Sequence, residues 1–332
     1  MYGGDSYLDA LSIYDWFQVS QTWFSKSERM LSTSLLAMVP NVAVVVTSLL
    51  SPAIVNEEES NVAYINLLYG APSVIGFMCA VIFCRTSQPP TPPSKSAEEI
   101  SKPQTFSLRQ YAFQMQSILC NKTMVGFIFF TGALLSKFNA TNSQMSQMMC
   151  SVGYTATQAG HASALLMISG TTGGIVVGTL ARRLKKQLDF FKISYCISSL
   201  AFITLMLLLR EPEVFPAIMC ALSVVGFFGI GCFPLSLELS VEETFPLDPV
   251  YSETAIHFPA MTYAFVLINI CNNLNWEQSQ TVSDTCGDAI QPLDYTPYFY
   301  YLMAEITVSS CLMLFVINPQ LKRYDFDKNE EE

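Results

Sequence analysis

Glu305 stands in the middle of an apolar run, YFYYLMAEITVSS, at residues 298–310. A carboxyl group surrounded by hydrocarbon must be neutral or paired. If the run crosses a bilayer, a central charge costs about 2.5–3.5 kcal/mol. Two readings are open: a proton- or cation-binding carboxylate in a solute path, or a neutral acid satisfied by a nearby Ser or Thr. His257 and Tyr263 lie in a second apolar block and, with Asn269 and Asn272, form a polar stripe at rough helical spacing. Such a stripe lines a cavity or hydrogen-bonds between helices. Tyr298, Phe299, Tyr300 and Tyr301 suit an interfacial aromatic belt or, alternatively, a cage for a cation. Catalytic chemistry has no such footing. No nucleophile–base arrangement stands out, and no Cys/His cluster has metal spacing, so neither an enzyme nor a cofactor or metal is expected. The Gly-rich SGTTGG at 169–174 lacks the GK[ST] ending of a phosphate-binding loop, which argues against an ATP-driven pump.

The elements that must position these residues follow from composition. The 332-residue chain is 51% hydrophobic and only 13% charged, against about 25% charged in soluble domains. Its apolar residues come in blocks. A span needs about 20 of them, which gives eight candidates, near 30–55, 62–84, 123–142, 159–181, 190–209, 214–238, 253–274 and 297–317. Irregular backbone cannot face lipid, so the spans are expected to be helices of an all-α, multi-pass membrane protein. Dense Gly and Pro (Pro40, Pro52, Gly70, Pro72, Gly226, Gly229, Gly231, Pro234) favour a bundle that bends and moves. The net charge of −10 and the scatter of basic residues exclude nucleic acid as a partner; the bilayer takes that place.

Residues 85–120 form a Pro/Ser-rich linker, 275–296 a second long loop, and 318–332 an acidic tail. With connections alternating sides, one side collects 15 of the 17 Lys and Arg residues, and the other holds Lys137 and Arg210. Basic residues accumulate on the cytoplasmic side, so the linker and the tail are expected there, in a chain of the plasma membrane or an internal membrane. Asn139-Ala-Thr141 then reads as an outside glycosylation sequon. Cys150 and Cys286 are the two cysteines of the outside loops, either paired or free. The third block is interrupted by Ser136, Lys137 and Asn139, as a discontinuous transporter helix would be, or as the outer end of a short span. GGIVVGTLARRLKK (173–186) spaces Gly174 and Gly178 four apart before a basic cluster: a packing face, or a dimer face, followed by inside charges.

Several segments together resemble the feline leukaemia virus subgroup C receptor-related solute carriers of the major facilitator superfamily. They are WFSKSERMLSTSLLAMVPNVAVVVTSLLSP (23–52), PPTPPS (89–94), FGIGCFPLSLELSVEETFP (228–246) and TCGDAIQPLDYT (285–296). The resemblance implies a twelve-helix bundle in two six-helix halves, of which this chain would carry about eight helices. Residues 1–84 would be the end of helix four with helices five and six, and 121–317 the whole second half. That arrangement implies an N-terminally truncated form. It also implies alternating-access transport of a small organic solute, a choline-like cation or haem, with or without a coupled ion. The alternative is a non-transporting membrane receptor or partner; the oligomeric state is open. On this likeness Met261 falls where choline-type relatives use a glutamine. Cys150 and Cys286 fall where a relative carries cysteines. Glu305, His257, Tyr263 and Asn269 would line the solute path. The stretch ending at Arg182 and Arg183 resembles the family's cytoplasmic gate, with an arginine at 182 where the motif usually has an acid. Glu238 and Glu242 are expected to meet those arginines, with Gly178 packing behind them.

Overall fold

The computed structural model describes residues 19–20, 23–25, 28–54, 62–83, 91, 108–184, 186–211, 213–247, 249–277 and 293–316. Ten α-helices appear among them: α1 (Arg29–Ile54), α2 (Val62–Phe83), α3 (Leu108–Cys120), α4 (Lys122–Cys150), α5 (Ala156–Arg183), α6 (Gln187–Leu208), α7 (Phe215–Val225), α8 (Phe233–Thr244), α9 (Pro249–Asn273) and α10 (Thr296–Val316). A π-helical turn, Gly226–Ile230, joins α7 to α8. Two short strands, Trp276–Glu277 and Leu293–Asp294, pair antiparallel between α9 and α10. Seven stretches are long and apolar enough to cross a membrane, with α7, the π turn and α8 counting as one. The block near 62–84 forms α2, apolar over Asn66–Cys79.

Local chemistry sets the helix ends. The Asn121 side chain accepts hydrogen bonds from Thr123 N (3.0 Å) and Met124 N (3.4 Å), which starts α4. Thr155 and Gln158 form a reciprocal capping box at the start of α5. Between them the chain turns through Gly153, whose φ of 95° suits a residue without a Cβ. Pro216 and Pro234 sit in the first turns of α7 and α8, where their missing N–H costs nothing.

Helix α4 is the axis of the bundle, against which α9, α5 and α10 all pack. Gly132 opens the α4–α9 contact, facing Ala260 and the Ile256 carbonyl. Helix α1 packs chiefly on α5. Two apolar cores result. One gathers Met148, Met149, Phe202 and Tyr298; the other gathers Phe127, Phe191, Tyr195 and Leu235. Helix α2 touches α1 and exposes Tyr64, Leu67, Ile75 and Phe77 by more than 60% each. A continuous apolar surface of that kind suits hydrocarbon, not water.

Three expectations change. The third block is not broken: α4 runs unbroken for 29 residues, and Lys137 lies inside it. Lys137 therefore leaves the count of outer charges. The break expected there occurs instead in the sixth block, at the π turn. The last 13 residues of the expected linker form α3, because Gln114 and Ile118 are buried at helical spacing.

Candidate solute cavity and buried ion pair

A cavity of about 290 Å³ lies between α1, α4, α5, α9 and the π turn, close to the lower bound usual for small-molecule sites of ~300 Å³. Helix α4 lines it with Thr131, Leu134, Leu135, Phe138, Asn139 and Asn142. These positions follow the i, i+3, i+4, i+7 pattern, so one face of one helix supplies a continuous wall. Helix α1 adds Ala37, Pro40, Asn41 and Val44. His257 and Met261 close it from α9, and Gly229, Cys232 and Phe233 from the π turn and the start of α8. The His257 ring stands edge-on to Phe233, with centroids 5.6 Å apart. The Thr131 hydroxyl, 2% exposed, and the Asn142 carbonyl oxygen have no hydrogen-bond partner among the described residues. Buried polar atoms are nearly always paired, so orphans lining a cavity mark positions for a ligand or water.

The ion pair lies elsewhere. Lys137 sits on α4 about 120° around the axis from the cavity wall, at ~100° per residue. It is fully buried, and its Nζ approaches Glu305 Oε1 at 2.8 Å. Nζ also donates to the Ala133 carbonyl at 3.2 Å. Glu305 Oε2 is buried with no hydrogen-bond partner among the described residues. Tyr263 on α9 and Tyr301 on α10 bring their hydroxyls within 3.0 Å of each other, in electrostatic range of Glu305. The pair ties α4 to α10 through the bundle interior.

The expected path residues thus divide. His257 and Met261 line the cavity, whereas Glu305 and Tyr263 belong to the ion-pair cluster. Asn269 faces outward, and its amide donates to the Phe265 carbonyl at 2.8 Å, so it is no part of the cavity wall. Asn139 lies inside α4, half-buried and donating to the Leu135 carbonyl at 2.8 Å. Glycan acceptors need exposed loops, so its assignment as a glycosylation site is corrected. Cys150 is disulfide-bonded; Cys286 lies outside the described residues. Sequence reading missed Thr131 and the partner of Glu305. The second was findable: Lys137 and Glu305 are opposite charges isolated within apolar blocks, and charges inside membranes pair.

Residues 17–256 match the Major Facilitator Superfamily. The chain belongs to this superfamily. It is 25% identical to Solute carrier family 49 member A3 of Xenopus tropicalis over 92% of this chain and 62% of that protein. It is 24% identical to the member A3 of Danio rerio over 92% of this chain and 63% of the relative. The Choline/ethanolamine transporter flvcr2a of Danio rerio is 21% identical over 76% of this chain and 55% of its own length. These relatives agree with the resemblance to the feline leukaemia virus subgroup C receptor-related carriers. The chain spans about three-fifths of the length of the first two.

In this major facilitator bundle, Arg182 and Glu238, two of the residues expected to form a gate, lie near the start of α1. Thr33 donates to Glu238 Oε1. Ser20 bonds Ser32 and Thr33, each at 2.6 Å, and donates to the Arg29 carbonyl at 3.0 Å. Arg182 lies in electrostatic range of Glu238 and Glu28. Arg183 is exposed, Glu242 half-buried and Gly178 buried. Arg182 with Glu238 is therefore the pair to test. Arg182→Glu and Glu238→Arg are each expected to lower stability. The double swap is expected to recover part of the loss, with a coupling of about 0.5–3 kcal/mol. Strict additivity in thermal unfolding would remove the pair from the latch.

Proposed function

We propose that the chain binds a small organic solute in the α1–α4–α9 cavity and carries it across a membrane by alternating access. The observation that carries this reading is the cavity between α1, α4 and α9, lined by a Thr131 hydroxyl and an Asn142 carbonyl oxygen that have no partner among the described residues. Relatives named as choline/ethanolamine transporters support the solute class. The Arg182–Glu238 cluster would close one end, which the basic residues suggest is cytoplasmic, together with the linker and the C-terminus. The plasma membrane is the proposed site. A disulfide from Cys150 to Cys286 would brace the opposite end.

Uptake into liposomes holding the purified chain tests the reading, with Thr131→Val and His257→Phe as cavity variants. Saturable uptake is expected, falling about tenfold or more in each variant, because a buried hydrogen bond to a ligand is worth up to about 1.5 kcal/mol and its loss strands the partner. Uptake unchanged in both variants would place the solute elsewhere. Saturable binding without uptake would favour a receptor or partner role.

A further inference from the structure

Helix α8 touches both the cavity and the latch. At its start Cys232 and Phe233 line the cavity, and Phe233 meets the His257 ring. Glu238 comes six residues after Cys232, about 9 Å farther along at ~1.5 Å per residue. There it accepts from Thr33 and lies within electrostatic range of Arg182. Every residue of α8 except Glu242 is buried. A helix gripped on all sides has no slack, so a displacement imposed at one end reaches the other.

The junction with α7 is a joint. Pro234 has no N–H to give the Ile230 carbonyl, and its ring crowds that carbonyl, so regular helical bonding stops there. The chain answers with the π turn, Gly226–Ile230. Cys232 bonds across the joint, its thiol donating to the Gly229 carbonyl at 3.2 Å. The turn itself is pinned to α5. A Cβ on Gly226 would lie 2.4 Å from the Leu166 carbonyl oxygen, and one on Gly231 would lie 3.0 Å from the Gly173 carbonyl carbon. Motion of α8 against α7 is therefore confined to the few residues between the pinned turn and Pro234, and Cys232 is among them.

Resting on the cavity of the transport reading but on no solute, we propose that α8 is the mechanical link between latch and cavity. When Glu238 leaves Thr33 and Arg182, α8 shifts on the π turn, the Cys232 thiol parts from the Gly229 carbonyl, and the wall at Cys232 and Phe233 withdraws. Cys232 is thus a positioning residue and also a reporter. It is 1% exposed in the latched arrangement and opens to a small reagent in the cavity when the latch is released.

The test is the alkylation rate of individual cysteines in the full 332-residue chain, in detergent, by N-ethylmaleimide, which takes the thiol S–H across its double bond with nothing leaving. Mass spectrometry resolves Cys232 from Cys271, which is fully buried on α9 and serves as the control. Thr33→Val removes the latch hydroxyl with little change of shape, and Arg182→Gln removes the latch cation. Each is expected to raise the Cys232 rate about tenfold, the factor that ~1.4 kcal/mol of lost restraint gives, and to leave Cys271 unchanged. A parent rate at Cys232 in both variants overturns the link. So does an equal rise at Cys271, which marks general loosening. No solute enters the measurement, so its failure is distinct from a failure of uptake. Cys232→Ser, which keeps a donor for Gly229, is expected to hold the parent's Arg182–Glu238 coupling in the thermal cycle, and Cys232→Ala to reduce it. Equal coupling in the two overturns the role of the thiol.

Discussion

Glu305→Met is expected to destabilise the bundle by about 3–5 kcal/mol, the range for removing one partner of a buried ion pair. The change strands the Lys137 ammonium, fully buried, with the Ala133 carbonyl as its remaining polar contact among the described residues. Lys137→Met is expected to cost less. Glu305 has the Tyr263 hydroxyl within electrostatic range, a donor that can satisfy its carboxylate when Lys137 is gone. The double variant Lys137→Met with Glu305→Met is expected to lie near the parent, because a well-packed apolar pair of similar volume often matches a buried salt bridge. Thermal unfolding of the four proteins in one detergent reads the cycle. Equal single losses that simply add in the double variant would show that the two side chains do not sense each other.

The second large effect is expected at Gly173. A Cβ there would lie 1.9 Å from the Phe227 carbonyl oxygen and 2.7 Å from its Cα. Both obstacles are backbone of the π turn, which cannot swing aside as a side chain can. Overpacking costs about 1–3 kcal/mol where side chains yield, so Gly173→Ala is expected at or above the top of that range. Gly70 on α2 is the internal control. A Cβ there meets nothing within 4 Å, and alanine is the better helix former by about 0.8–1.0 kcal/mol. Gly70→Ala is therefore expected to raise the melting temperature and Gly173→Ala to lower it. A Gly173→Ala chain that melts with the parent would mean that α5 and the π turn part more readily than this seam implies.

Most of the fold was legible in the sequence because lipid imposes one rule: apolar stretches of sufficient length become helices. The block boundaries near 190–209, 253–274 and 297–317 fall within a few residues of α6, α9 and α10. Where the rule weakened, the reading strayed. Ser136, Lys137 and Asn139 look like an interruption, yet Ser136 and Asn139 bond back to carbonyls of their own helix and Lys137 finds Glu305 across the bundle. A polar residue ends a span only if no partner waits for it, and partners are a tertiary fact. Glycine and proline in the sixth block announced a bend, but the π turn depends on how closely α5 approaches. His257 and Met261 were anticipated as cavity residues. Thr131 was not, since a lone threonine among apolar residues has no signature until its hydroxyl is seen without a partner. Asn269 was anticipated and faces outward, because a stripe of rough helical period does not say which side of it meets the bundle.

Helix α4 carries the cavity wall on one face and Lys137 about a third of a turn away, at ~100° per residue. An unbroken helix is torsionally stiff, so it acts as an axle. A twist that widens the cavity by moving Phe138 must also swing Lys137 against Glu305. On the proposed transport reading, the ion pair would work as a detent, holding the axle at one angle until enough binding free energy turned it. Solute occupancy and the integrity of a salt bridge outside the cavity wall would then be two readings of one dial.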